Sequence, residues 1–158
     1  MADQSHRVRS ISVAPEPFDA PDSRSLRKEL GADLMRRYAG DSEPGVKPSA
    51  WDVAVFVVAR DVGGEAVGCG ALRELGDGAA EIKRMYVRPH ARGSGVARLL
   101  LAALEDQARR RGLDTIRLET GTGQPEAMYA GAGYTEIEGF GDYAGHPASR
   151  CFERRLDR

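Results

Sequence analysis

The run Arg92-Gly93-Ser94-Gly95-Val96-Ala97 places small residues and a cation between an apolar segment ending at Val87 and a stretch of helical periodicity beginning at Val96. Residues of this kind in this order suit the binding of a diphosphate. Glycine and serine allow a backbone to approach a ligand closely, and the first turn of a helix presents unpaired N–H groups with a partial positive charge to an anion. The ligand implied is a large nucleotide cofactor.

Two other glycine loops that precede helices match this turn poorly. A phosphate loop of the NTPase type ends in Gly-Lys-Ser/Thr to hold phosphates and magnesium, whereas Gly95 is followed by Val96 and Ala97. A dinucleotide fingerprint needs a third glycine for close helix packing, and Arg98 occupies that place. It also needs an acid about 20 residues further on; Glu119 lies later than that. A nicotinamide-dependent oxidoreductase therefore stands as the alternative reading of the turn.

The elements around the turn follow from periodicity and breakers. A first strand is predicted from Arg7 to Val13, broken by Pro15, Pro17 and Pro21. A helix capped by Asp22 or Ser23 runs to about Tyr38, with Leu26, Leu30, Leu34 and Met35 on its apolar face. After a loop over Gly40 to Pro48, three strands form an antiparallel meander: Val53 to Arg60, apolar enough to be covered on both faces, Ala66 to Leu75, and Ala79 to Val87. Gly63-Gly64 and Gly76-Asp77-Gly78 supply the turns. Beyond the glycine turn, Val96, Leu99, Leu100, Ala103, Leu104 and Ala108 trace one helical face, with Glu105, Asp106 and Arg109 to Arg111 opposite and Gly112 closing the helix. Thr115 to Glu119 is a strand parallel to Glu81–Val87, because a helix intervenes, and their ends are expected to splay. A short helix from Pro125 to about Ala132, ended by Gly133, precedes strands at Tyr134 to Glu138 and Cys151 to Arg155.

Composition narrows the function classes. At 158 residues the chain reads as one domain, with room for a core that needs no metal or disulfide. A net charge of −1 argues against nucleic acid as a partner. Cys69 and Cys151 stand far apart and read as small core residues of a reduced protein. Neither His6 nor His90 has a metal-ligand spacing, so no metal is expected. No apolar run is long enough to span a bilayer and Met1 to His6 lacks signal-peptide character, so a cytoplasmic enzyme without a membrane partner is expected.

Arg92-x-x-Gly95-x-Ala97 resembles the acyl-CoA signature of the GNAT superfamily of N-acetyltransferases, and Met128-Tyr129-Ala130-Gly131-Ala132-Gly133-Tyr134 is similar to that family's Leu-Tyr-x-x-x-Gly-Phe segment. The order of elements resembles the GNAT fold over essentially the whole chain. The resemblance implies an α/β (α+β) architecture, with a mixed, mostly antiparallel sheet, one splayed parallel strand pair and flanking helices. It also implies acetyl-CoA as cosubstrate, gripped by Met85, Tyr86, Val87, Arg92, Gly93, Ser94, Gly95, Val96 and Ala97. Arg88 and Arg98 are further phosphate candidates, and the backbone N–H of Val87 or a neighbour is the expected donor to the thioester oxygen.

Acetyl transfer to an amine needs a base for the amine proton and an acid for the leaving thiolate. By resemblance these are Glu81, eleven residues before Arg92, and Tyr129. One departure bears on Tyr129: relatives commonly carry Asn or Gln seven residues before this tyrosine, where this chain has Thr122, with Gln124 two positions later. The acceptor is expected beside the loop Gly139 to Ser149, with Phe140 and Tyr143 framing it and Asp142 attracting an ammonium; His146 reads as structural or exposed. The expected activity is direct transfer to a primary amine of a small molecule or amino acid in a ternary complex. A protein-lysine acetyltransferase and a non-catalytic acyl-CoA sensor are the other readings, and a homodimer is a possible assembly.

Overall fold

A computed structural model describes residues 10–38, 52–120, 126–146 and 149–157. In chain order the elements are β1 (Ser12–Pro15), α1 (Pro21–Tyr38), β2 (Val55–Arg60), β3 (Ala66–Gly76), β4 (Ala79–Val87), α2 (Val96–Arg110), β5 (Thr115–Thr120), α3 (Glu126–Gly131), β6 (Thr135–Ile137) and β7 (Arg150–Arg155). Single 3-10 turns lie at Pro89–Ala91 and Gly141–Tyr143. The strands make one sheet in the order β1-β2-β3-β4-β5-β7-β6. Only β4 and β5 are parallel, so the mixed, mostly antiparallel architecture expected from the sequence is the one observed. Positions 7–9 of the predicted first strand, the loop at 40–48, His6, Thr122, Gln124, Pro125 and positions 147–148 lie outside the described residues.

Two apolar layers sandwich the sheet. Val96, Leu100, Leu101, Leu104 and Ala108 of α2 pack on one face against Val55, Val57, Ala80 and Ile82. Leu26 and Leu30 of α1 pack on the other against Phe56, Val58, Cys69 and Ala71. The apolar run in β2 is thus buried from both sides. At the end of α2, Gly112 adopts φ +74° and Leu113 N–H returns to the Ala108 carbonyl, closing the helix where glycine predicted it.

Several expectations need correction. Pro15 does not break β1 but ends it, which an edge strand tolerates because one side of its backbone needs no partner. Pro21 opens α1 as its first residue, and the Ser23 hydroxyl is buried without a hydrogen bond instead of capping. Met35 is 78% exposed and off the apolar face, which Leu26 and Leu30 define. Glu105, assigned to the solvent side of α2, is buried, receiving the Tyr134 hydroxyl at 3.0 Å and Arg154 Nη1 at 2.6 Å. Cross-chain partners outweigh its local sequence context.

Two irregularities in β4 prepare the site. Pairing with β5 extends only from Ala79 to Ile82, so beyond that point the two strands part, as expected. On its other side β4 carries a bulge: Ala71 faces Lys83 and Cys69 faces Tyr86, which fits an extra residue into β4. Arg84 absorbs it with φ +58°. The Arg84 carbonyl accepts the Cys69 thiol at 3.3 Å. Close approach here requires glycine in β3, since a Cβ on Gly68 would lie 2.9 Å from the Tyr86 carbonyl oxygen.

Candidate active site

Where β4 leaves β5, a cleft of about 540 Å³ opens between α1, the end of β4, the start of α2 and α3. Its lining includes all the predicted cofactor residues except Ser94: Met85, Tyr86, Val87, Arg92, Gly93, Gly95, Val96 and Ala97. Tyr129 also lines it. The Ser94 hydroxyl is turned inward, donating to the Ala91 carbonyl at 2.5 Å, so it holds the turn together. Gly93 and Gly95 take φ +80° and +86°, conformations that cost most side chains about 1 kcal/mol or more. The turn thereby brings the first N–H groups of α2 to the cleft.

The backbone of β4 adds a second donor. Arg88 N–H bonds the Val67 carbonyl of β3 at 2.8 Å, and N–H direction alternates along a strand, so the Val87 N–H faces away from β3 toward the open edge. The Val87 carbonyl accepts Arg92 Nε at 2.9 Å. Arg92 also stacks 5.8 Å from the Tyr86 ring centroid and reaches within 4.0 Å of Asp33. Arg92 therefore braces the lip of the cleft.

The other two arginines separate clearly. Arg88, a phosphate candidate from sequence, is committed elsewhere: its guanidinium meets Glu29 at 2.7 Å and the Ala66 carbonyl at 2.7 Å, clamping α1 to the sheet. Arg98 lines the cleft and makes no hydrogen bond or ion pair with a described residue. Its Nη2 lies 3.1 Å from where a Cβ on Gly131 would stand, at the α3 wall.

Tyr129 is 7% exposed, and its ring meets the edge of Tyr134 at 5.9 Å. Burial pushes its phenol up to about 12, so the hydroxyl stays protonated throughout the neutral range. No described residue takes its hydrogen bond, in contrast to Tyr134, whose hydroxyl is satisfied by Glu105. Its place on the cleft wall leaves this hydroxyl open to a bound group.

Glu81 lies on the α1 side of β4, 2% exposed. Its Oε2 accepts the Tyr143 hydroxyl at 2.7 Å, and that hydroxyl accepts Lys83 Nζ at 3.1 Å. Lys83 Nζ is 3.9 Å from the same carboxylate oxygen, and Arg73 Nη1 is 3.6 Å from Oε1. Glu81 and Lys83 are alternate residues of one strand, a spacing that puts them on one face and was the overlooked sign of this network. Tyr143 is buried within it and packs edge-on against half-buried Phe140 at 5.2 Å. Asp142 and His146 are exposed.

Leu30, Asp33 and Leu34 join the cleft from α1 without a motif to announce them; their three- and four-residue spacing is the available signal. Among the described residues no group of His, Cys, Asp and Glu is arranged to hold a metal. Among the same residues no helix is long and apolar enough to cross a membrane.

Comparison with known proteins extends this picture. Residues 23–134 match the profile of the Acetyltransferase (GNAT) family. The chain is 38% identical over 132 residues to the IAA acetyltransferase of Azospirillum brasilense, covering 77% of this chain and 86% of that protein. A Klebsiella pneumoniae crystal structure assigned as an acyl-CoA N-acyltransferase superposes with a TM-score of 0.79 at 32% identity, over 93% of this chain and 98% of the other. A GNAT family acetyltransferase from Elizabethkingia anophelis, solved with acetyl-CoA bound, shares the fold with a TM-score of 0.65 at 16% identity, over 93% of this chain and 99% of that one.

Proposed function

The chain belongs to the GNAT family of N-acetyltransferases, and we propose that within it this enzyme passes the acetyl group of acetyl-CoA directly to a primary amine of a small molecule in a ternary complex. The observation that carries the reading is the cleft at the parting of β4 and β5, lined at once by the glycine turn and by Tyr129. When bound, acetyl-CoA supplies an activated thioester carbonyl. The N–H groups at the start of α2 and the side chain of Arg98 are suited to its phosphates, and the outward Val87 N–H to its carbonyl oxygen.

Chemistry then divides between Glu81 on β4 and Tyr129 on α3. Glu81, on the α1 side, takes the amine proton, through water where the distance requires it. As the nitrogen–carbon bond forms and the carbon–sulfur bond breaks, Tyr129 gives its proton to the departing sulfur. A phenol held near 12 by burial keeps its proton until the thiolate develops and is not spent beforehand. The cations Lys83 and Arg73 flank the Glu81 carboxylate at 3.9 and 3.6 Å and fix its position.

The test is calorimetric titration with acetyl-CoA and NADH in parallel, followed by thiol release during incubation with a panel of amines. Saturable acetyl-CoA binding and amine-dependent release of thiol are expected. Binding without release for any amine would leave a sensor, and preference for NADH would overturn the assignment of the cleft.

A further inference from the structure

Next to Tyr129, polar side chains from α2, from β7 and from the link between α3 and β6 meet in the core. Glu105 of α2 is 6% exposed, and its Oε2 accepts both the Tyr134 hydroxyl at 3.0 Å and Arg154 Nη1 of β7 at 2.6 Å. Tyr134 is buried as well. Filling the core does not call for this arrangement. Phenylalanine has nearly the volume of tyrosine, and a buried ion pair is often no more stabilising than apolar residues of its size. What a fully satisfied buried polar network adds is a single defined position. The family segment that residues 128–134 resemble ends in Phe, and this chain has Tyr134 there, so the hydroxyl that engages Glu105 is a departure from that pattern.

Tyr134 touches Tyr129 twice. Its ring meets the Tyr129 ring edge-on at 5.9 Å, and its backbone N–H donates to the Tyr129 carbonyl at 3.0 Å. Tyr129 depends on such contacts, because no described residue holds its hydroxyl. The helix that carries it, α3, spans only the six residues Glu126–Gly131, too few to persist without tertiary support. At its outer end Arg150 pairs with Glu126 at the surface, an interaction that contributes little. At its inner end Gly133 turns with φ +93°, and Arg154 runs past it with Nε 3.4 Å from where a Cβ would stand. The same arginine goes on to Glu105.

The helix on the other side of this contact is the one that begins at the glycine turn. Arg98 and Glu105 stand seven residues apart on α2, which puts them on one face two turns apart. Arg98 reaches the α3 wall at Gly131, and Glu105 reaches Tyr134. We infer that Glu105, Tyr134 and Arg154 are positioning residues for proton transfer from Tyr129: by locking α3 to α2 they hold the phenol at a set distance from the turn proposed to bind the phosphates, and so from the thioester sulfur. None of the three lines the cleft, so their effect runs through Tyr129. The inference rests on the reading of Tyr129 as the acid.

Tyr134→Phe tests it, because it removes the hydroxyl alone and leaves the ring and the Glu105–Arg154 pair in place. It should lower kcat about tenfold with KM for acetyl-CoA unchanged, the signature of a misplaced catalytic group. In a Tyr129→Phe background the same substitution should cost nothing further. Glu105→Gln keeps an acceptor oxygen for the Tyr134 hydroxyl and should retain most of the rate that Glu105→Leu loses. Should Tyr134→Phe fail to fold, that second comparison, made with and without the Tyr129 hydroxyl, carries the same decision. A further arm needs no turnover: with 13C at the tyrosine ring ε carbons, and the Tyr129 signal identified by its loss in Tyr129→Phe, Tyr134→Phe should shift and broaden that signal. An unmoved Tyr129 signal, or an equal loss of kcat with and without the Tyr129 hydroxyl, would overturn the positioning role. A slow Tyr129→Phe beside a fully active Tyr134→Phe would defeat this inference alone. Full turnover of Tyr129→Phe would defeat the acid assignment and the inference with it.

Discussion

The Tyr143 hydroxyl donates to Glu81 Oε2 at 2.7 Å, joining residues 62 positions apart. This bond anchors the turn Gly141–Tyr143, on the connection between β6 and β7, to the middle of β4. The loop expected to face the acceptor is therefore fixed by the same carboxylate proposed to take the acceptor's proton. Gly139 lets the loop fold this tightly: a Cβ there would lie 2.5 Å from the Tyr143 carbonyl oxygen.

Tyr143→Phe should lower kcat by about tenfold while leaving KM for acetyl-CoA unchanged, because it removes a charge-assisted hydrogen bond from Glu81 without touching the cleft. Glu81→Gln should cost about 100-fold or more, the usual range for a general base. Steady-state thiol release separates the two effects. A Glu81→Gln protein at full rate would return Glu81 to a purely structural role.

Tyr129→Phe should lower kcat by roughly 10²-fold with little change in acetyl-CoA affinity, measured by single-turnover kinetics. In the unsubstituted enzyme the phenol titrates near 12 and not at 10, so it does not produce a loss of rate between pH 8 and pH 10. A Tyr129→Phe protein with undiminished turnover excludes the acid role.

Arg98→Ala should raise KM for acetyl-CoA by about tenfold, the scale of one charge-assisted phosphate contact, and leave kcat nearly unaltered. The loss should shrink with added salt. Arg88→Ala should behave differently, lowering thermal stability through loss of the Glu29 clamp before it affects acetyl-CoA. Calorimetry and thermal melts on the two variants decide the assignment.

Cys69 sets an alkaline limit on stability. Burial pushes its thiol from 9.0 up to about 12, so the folded chain keeps a proton that the unfolded chain releases. The sign follows: stability is whole below pH 9, declines as pH rises, and the thiol's contribution is lost by about 12. Cys69→Ala should flatten this decline in denaturant melts between pH 8 and pH 10.5. In the native protein Cys69 should resist alkylation.

The sequence made visible those features that depend on local repetition. Leucine and alanine spacing marked the buried face of α2, the apolar run marked β2, and Gly93 and Gly95 marked the turn because no other residue takes their backbone angles cheaply. Pairings across long separations were invisible. Glu105 sits in an acidic stretch that reads as solvent-facing, and its partners lie 29 and 49 positions away. The bulge at Arg84 left no mark on β4 itself, where Lys83-Arg84-Met85 passes for ordinary alternation; its trace is in the neighbouring strand, at Gly68 and Gly70.

The extra residue at Arg84 acts on β4 as a change of phase. Even-numbered Ala80 and Ile82 pack toward α2 before it, and odd-numbered Met85 and Val87 do so after it, while Tyr86 joins the α1 side. A strand in strict alternation would have sent Glu81, Lys83, Met85 and Val87 to one face, mixing the proton acceptor with the cofactor grip. By slipping its count once, β4 serves two compartments from a single rigid rod. Glu81 and Lys83, on the side proposed for the acceptor, can then be altered independently of Met85 and Val87, on the side proposed for acetyl-CoA, and deletion of Arg84 should exchange the faces of everything downstream.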